Sequence, residues 1–208
     1  MQHHHPVDLK AIAFTAMAKY GFKPDFPPSV LHEVSMMMPD VPLDDRDNAR
    51  DLRTLLWSSI DNHDSMDLDQ MEYCERGPGD EIHVRVAIAD VDHYVSRYSL
   101  SDQYAAFNGT SVYTGIVTFP MLPDRLSKGI SSLLPGQDCR AVIIEYTVLP
   151  DGSVRHGPLY RAVVANRAKL VYEEVGDWME GAGPIPRMVH DVAGLEAQLW
   201  LQHETALR

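Results

Sequence analysis

Asp61-Asn62-His63-Asp64-Ser65-Met66-Asp67-Leu68-Asp69-Gln70 places four carboxylates within nine residues, between two apolar segments. Like charges this close repel one another, so a folded chain keeps them in water or gives them a cation to share. The donors are oxygens with no thiolate among them, which suits a hard ion, Mg²⁺ or Mn²⁺. Carboxylate-held Mg²⁺ is a common device for phosphate esters, so phosphodiester chemistry is the first expectation. A calcium loop of the EF-hand type is excluded, because counting from Asp61 puts Met66 where the sharp turn needs glycine. Zinc would need more imidazole than His63 supplies. A solvated acidic loop stands as the alternative, and the apolar flanks, which would carry the loop inward, weigh against it.

The segment after the cluster alternates, so Asp67, Asp69, Met71 and Tyr73 share one face if it is a strand. Gly77-Pro78-Gly79-Asp80 is a turn, and Glu81–Val91 follows as a strand with Ile82, Val84, Val86 and Ile88 on one face. The cluster is therefore expected on a β-hairpin edge. Further on, Ala141–Val148 and Val154–Val164 flank an Asp151-Gly152 turn and predict a long hairpin. Upstream, Asp8–Tyr20 has helical spacing, with Leu9, Ile12, Ala13, Ala16, Met17 and Tyr20 as its inner stripe and Gly21 as its stop. Ser29 is placed to cap a second helix with Val30, Leu31, Val34 and Met37 inward, and the Met36-Met37-Met38 run reads as core filler. Pro-rich breaks at Pro24–Pro28 and Pro39–Pro42 frame that helix, and Asp44–Asp51 reads as a polar linker or a helix start. Ser101–Phe107 is expected helical, Thr110–Phe119 irregular to extended, and Pro123 near the start of a short helix. Two helices, Val171–Glu180 and Val189–Leu207, close the sequence.

The length of 208 residues, 45% of them hydrophobic, supports a real core. No apolar run is long enough to span a bilayer and no secretory signal is visible, so no membrane partner is expected. Cys74 and Cys139 lie far apart and form no metal-type pair, which points to a reduced, cytoplasmic protein. The net charge of −12 argues against a simple nucleic-acid-binding surface. It is uneven, however. Pro39 to Asp69 holds nine acidic and three basic residues, whereas Pro120 to Leu170 holds seven basic and four acidic ones. An acidic metal end beside a basic stretch suits a polyanionic substrate, and ordinary surface charge is an equal reading.

Five short motifs follow in order: Ser59-Ile60-Asp61; Asp67-Leu68-Asp69; Val86-Ala87-Ile88-Ala89-Asp90-Val91-Asp92-His93-Tyr94-Val95; Phe119-Pro120-Met121-Leu122-Pro123; and Leu126 to Gly136. Ala168-Lys169-Leu170-Val171-Tyr172 with Asp177-Trp178 extends the series. This order resembles the catalytic domain of the ribonuclease II / ribonuclease R (RNB) family of processive 3′-to-5′ exoribonucleases. The resemblance implies an α+β fold, a mixed β-sheet core with flanking helices, preceded by a small helical segment. It divides the chain into residues 1–48, the helical lead-in, and 49–208, an incomplete catalytic domain. It further implies a Mg²⁺-dependent hydrolase that releases nucleoside 5′-monophosphates from single-stranded RNA, a monomer when full-length.

Position by position, Asp61, Asp67 and Asp69 match three of the four metal-binding aspartates of the family pattern D-x5-D-x-D-D, and Gln70 stands at the fourth. Asp69 matches the aspartate tied most closely to the chemical step. An amide oxygen is a weaker ligand than a carboxylate, and Asp64 is the nearest substitute for the missing charge. Tyr113 matches a tyrosine that stacks near the 3′-terminal base. Asp90, His93 and Tyr94 read as scaffold, and Arg125, Lys128, Arg140 and Arg167 as surface cations within reach of phosphate. Barrel domains usual in the family have no room ahead of the motif, and later catalytic segments are absent, so the chain is expected to be part of a longer protein and poorly active alone. The alternative is a catalytically weak, RNA-binding or scaffold relative whose metal site has degenerated at Gln70.

Overall fold

The computed structural model describes residues 7–39 and 48–208. The expected Pro39–Pro42 break and the Asp44–Asp51 linker lie partly outside them. In chain order the first elements are α1 (Leu9–Lys19), α2 (Pro28–Ser35), β1 (Arg50–Asp51), β2 (Ser58–Asp61), β3 (Gln70–Arg76), β4 (Ile82–Ala89), α3 (Val91–Tyr94) and α4 (Leu100–Asn108). There follow β5 (Val112–Tyr113), β6 (Thr118–Phe119), β7 (Asp138–Val148), β8 (Val154–Ala165), β9 (Ala168–Val171), α5 (Tyr172–Met179), α6 (Arg187–Asp191) and α7 (Leu195–Leu207). The chain separates into two compact units: the residues up to Met38 with Tyr94–Leu126, and Pro39–His93 with Ser127–Arg208. This grouping differs from a linear cut at residue 48, because the lead-in helices share a core with a segment that follows the acidic cluster.

The larger unit is a seven-stranded mixed sheet in the order β1-β8-β7-β4-β3-β2-β9. The outer pairs β1/β8 and β2/β9 are parallel, and the strands between them are antiparallel. Both faces are covered, which is why β4 buries residues of both parities: Ile82 and Val84 on one side, Ala87 on the other. One face packs Trp57, Leu68, Met71, Leu133 and Ile143 together. Each large side chain fully removed from water contributes roughly 1.5–3 kcal/mol. The opposite face holds Cys74, Ile82, Val84 and Val148, with Leu201 of α7 against them. A third cluster seats β9 on α5, α6 and α7 through Leu170, Val175, Leu195 and Leu199. The expected β7–β8 hairpin forms, with a register shift between Ile144 and Tyr146. There Gly157 is required, since a Cβ would lie 2.9 Å from Glu145 Cβ. Both cysteines are buried and unpaired. Burial pushes their thiols up, Cys74 to about 12 and Cys139 to about 11.

Several expectations are corrected. β3 begins at Gln70, so Asp67 and Asp69 precede the strand. The helix expected over Val189–Leu207 is two, α6 and α7, broken where Gly194 adopts φ +87. Pro123 is followed by a π-helical turn, Leu126–Ile130.

In the smaller unit, Met17 is the buried residue of α1, while Leu9, Ile12 and Tyr20 are exposed. α1 is apolar around most of its circumference, so spacing alone did not identify its inner side. α2 starts at Pro28, with no side-chain cap from Ser29, because proline suits the first helical position where an N–H would be orphaned. Leu31, Met36 and Met38 are exposed, so the methionine run is not core filler. Around a buried apolar set that includes Val30, Val34, Tyr104 and Phe119, polar bonds tie the segments of this unit together. Glu33 accepts the Leu100 and Ser101 N–H groups at 2.9 Å each, and Arg125 donates to the Val34 and Met37 carbonyls at 3.1 and 2.8 Å. Phe14 meets Phe119 edge-on at 5.0 Å.

Among the described residues no helix is long and apolar enough to cross a membrane. Gly194→Ala is expected to lower stability by about 1–2 kcal/mol in urea denaturation, since alanine is disfavoured in the left-handed conformation that the glycine adopts and its Cβ would approach Leu56 Cδ1 to 3.1 Å.

Candidate metal and RNA site

β2 and β3 are adjacent, antiparallel strands, and the acidic segment is their connection. Its outward-inward rhythm continues that of the strand. Leu68 is 1% exposed, and Asp67 and Asp69 on either side are exposed. The backbone is held from two directions. The Ser132 hydroxyl accepts the Leu68 N–H at 2.9 Å and donates to the Met66 carbonyl at 2.7 Å, so one buried side chain brackets Asp67. Leu133 N–H donates to the Leu68 carbonyl, and Ala89 N–H to the Asp69 carbonyl, each at 2.9 Å. Gln70 then enters the ladder opposite Ile88.

Asp61 ends β2 opposite Val171 of β9. Burial raises its carboxyl above the usual carboxylate range; the Ser59 hydroxyl and Lys169 oppose the rise, and the negative charges of Asp69 and Asp67 add to it. Asp61 thus feels the charge of both other carboxylates matched to the family pattern. Lys169 also donates its ammonium to the carbonyls of His63 (3.3 Å) and Ser65, tying the loop to β9. Asn166, 4% exposed, joins three further segments of the chain. Its Nδ2 donates to Ser59 Oγ at 3.1 Å and the Leu133 carbonyl at 2.9 Å, and its Oδ1 accepts from Ala168 N–H at 3.0 Å.

In kind, the donors fit a hard cation: carboxylate and amide oxygens with excess negative charge and one lysine against it. In arrangement, no group of three or more His, Cys, Asp and Glu side chains among the described residues is set to ligate a metal. Asp64 is exposed in the loop, and Gln70 is exposed at the start of β3. Beside Gln70 a cavity of about 180 Å³ is lined by Ser58, Glu72, Tyr172 and Gln202.

Tyr113 belongs to the other unit, on the short β5–β6 hairpin, with its ring 70% exposed. Asp90 is a scaffold carboxylate at 2% exposure, with Arg161 Nε 3.0 Å from Oδ2; the pairing is by charge, since neither oxygen has a well-directed donor. Arg125 and Arg167 spend their guanidinium groups on carbonyls, and Arg140 is buried, so these three are structural cations. The residues that composition and motif reading did not single out are Ser132, Asn166 and Lys169, although Ser132 and Lys169 lie inside the motifs quoted above.

The RNB domain family matches residues 49–207. Ribonuclease R of Thermotoga maritima is 36% identical over 156 residues, covering 75% of this chain and 22% of that protein. Ribonuclease R of Escherichia coli is also 36% identical over 156 residues, covering 75% and 19%. The structure of Mycoplasma genitalium RNase R in complex with double-stranded RNA superimposes with a TM-score of 0.79 at 26% identity, covering 90% of this chain and 34% of that one. The chain belongs to the RNB family. It spans about a fifth of the length of these curated relatives.

Ser132→Ala removes the partner of a buried N–H and a buried carbonyl. It is expected to cost about 1–3 kcal/mol in thermal or urea unfolding. Asp61→Asn removes a half-buried charge from a repelling group. It is expected to raise the melting temperature in EDTA, and added Mg²⁺ should stabilise the unsubstituted chain more than the variant.

Proposed function

We propose that this chain carries the metal-binding half of a 3′-to-5′ exoribonuclease acting on single-stranded RNA. The observation that carries the reading is the placement of Asp61 at the end of β2 with Asp67 and Asp69 on the connection to β3, where backbone bonds on both sides of Leu68 hold the segment and Asp61 lies within the field of the other two. Membership of the RNB family supports it. Asp61, Asp67 and Asp69 would hold Mg²⁺, or Mn²⁺, with Asp64 and Gln70 as further oxygen donors. When bound, the ion supplies Lewis acidity toward a phosphoryl oxygen and neutralises charge as the 3′-terminal phosphodiester is cleaved. Asp69, exposed and with its carbonyl fixed to Ala89, offers a carboxylate to accept a hydrogen bond from the attacking water. Lys169 keeps the loop from swinging away from β9 under its own repulsion. Tyr113 offers an open aromatic face to a terminal base, a contact that every base can make. Nucleoside 5′-monophosphates are the product in this reading, and a monomeric cytoplasmic enzyme goes with it.

A second reading is favoured by two observations: Gln70 is neutral, and no three acidic side chains are drawn into one ligating group among the described residues. In that reading the chain binds RNA or serves as a scaffold with little turnover.

The deciding assay follows mononucleotide release from a labelled single-stranded RNA in excess Mg²⁺. Hydrolysis should be slow in the 208-residue chain, should stop in EDTA, and should fall about 100-fold or more in Asp69→Asn. Equal rates for the two proteins would remove the hydrolytic reading. A large gain in Gln70→Asp would support the degenerate-site reading.

A further inference from the structure

Gln70 stands where the family pattern has an aspartate, and two residues further along the same strand stands Glu72. Met71 between them is 1% exposed and turns into the core, so Gln70 and Glu72 both face the other side of the sheet. Side chains two apart on a strand start about 6–7 Å from each other, a gap that two long side chains can close. Both line the cavity of about 180 Å³ that Tyr172 and Gln202 border from α5 and α7. Ser58 pairs with Glu72. Continued along the antiparallel strands, that register brings Ile60 opposite Gln70, and Asp61 is the next residue of β2. Gln70 thus has the ion-binding end of β2 on one side and Glu72 on the other.

The polar groups of the cavity do not balance. Glu72 is half-buried, and burial raises its carboxyl above the usual carboxylate range. Among the described residues no donor or cation bonds to that carboxylate, and no lysine or arginine lines the cavity. Gln202 is spent elsewhere: its Nε2 donates to Ser58 Oγ at 3.3 Å and to the Glu72 main-chain carbonyl at 3.4 Å. The Gln70 amide is the complementary group, since among the described residues its N–H₂ has no acceptor.

An amide has donors on its nitrogen and an acceptor on its oxygen. A hard cation takes the oxygen and repels the N–H end. A carboxylate offers oxygen whichever way it turns, but the terminal torsion of glutamine is soft, so its two ends exchange readily. Glutamine therefore replaces a ligating aspartate well only where a neighbour holds the nitrogen away from the ion. An acceptor with no donor of its own does this, and an ionised carboxylate is such a group.

We propose that Glu72 is a positioning residue for Gln70: its carboxylate accepts the amide N–H₂ and so turns the Gln70 oxygen toward the cation of Asp61, Asp67 and Asp69. The proposal rests on the metal-binding reading above. It makes Gln70 and Glu72 a matched pair, in which the neutral ligand is oriented by the acid beside it.

The test is Mn²⁺ binding to the 208-residue chain, followed by the electron paramagnetic resonance of the free ion, in a double-substitution cycle. Glu72→Met should weaken binding about tenfold, as loss of a partner behind a metal ligand does. Glu72→Gln keeps an acceptor oxygen without the charge and should stay within about threefold of the unsubstituted chain. With Gln70→Asp as the background, where no amide needs orienting, Glu72→Met should change binding by less than about threefold. In EDTA, Glu72→Met should raise the melting temperature, because an unpaired, half-buried carboxylate is removed; a fall would make Glu72 a structural residue and overturn the proposal. Equal losses in the two backgrounds would make Glu72 a mere part of the negative field and remove the proposal alone. Binding by Gln70→Asp but not by the unsubstituted chain would also overturn it, in favour of a degenerate site. Absence of binding by both at millimolar Mn²⁺ removes the metal-binding reading, and the proposal falls with it.

Discussion

Leu68 governs the acidic segment. Its side chain lies among Trp57, Met71 and Leu133, and both of its backbone polar groups are bonded, so the residues on either side must face outward. The balance of terms is clear in magnitude. Burying a leucine contributes on the order of 2 kcal/mol, more than the roughly 1 kcal/mol by which two unit charges in water repel even at a separation of about 4 Å. The apolar anchor outweighs the repulsion of its neighbours. Lys169 and the Asn166 hub then hold the loop and its surroundings to the sheet.

How far the sequence could be read depended on the range of the signal. The β7–β8 hairpin was legible because its Asp151-Gly152 turn and the apolar strands beside it are local. The acidic cluster was legible because its spacing is short. β4 was placed well, although the face assignment missed that Ala87 packs on the opposite side from Ile82. What was not legible is mostly long-range. Ser132 meets Leu68 across 64 residues and Asn166 meets Ser59 across 107, and no periodicity reports such a partner. The break at Gly194 was different: the glycine was in plain view, and the apolar pattern on either side of it concealed the change of direction.

The distribution of charge also bears on how a net charge of −12 fits the proposed RNA-directed reading. All of that net charge belongs to the unit that holds the aspartates, and the other unit is neutral. Within the acidic unit many cations are already committed. Arg53 pairs with Asp51 and Asp138, Arg85 with Glu75 and Glu145, and Arg208 with Asp80 and Glu204. Among the described residues these pairs leave Lys169 as the cation that meets the acidic loop.

The Ser132 clamp has a consequence for the order of events during synthesis. The segment that presents Asp67 acquires its shape only once residues far downstream have been made and have joined the same layer. A nascent or partly unfolded chain therefore holds these carboxylates slack, and their fixed spacing arrives together with completion of the sheet.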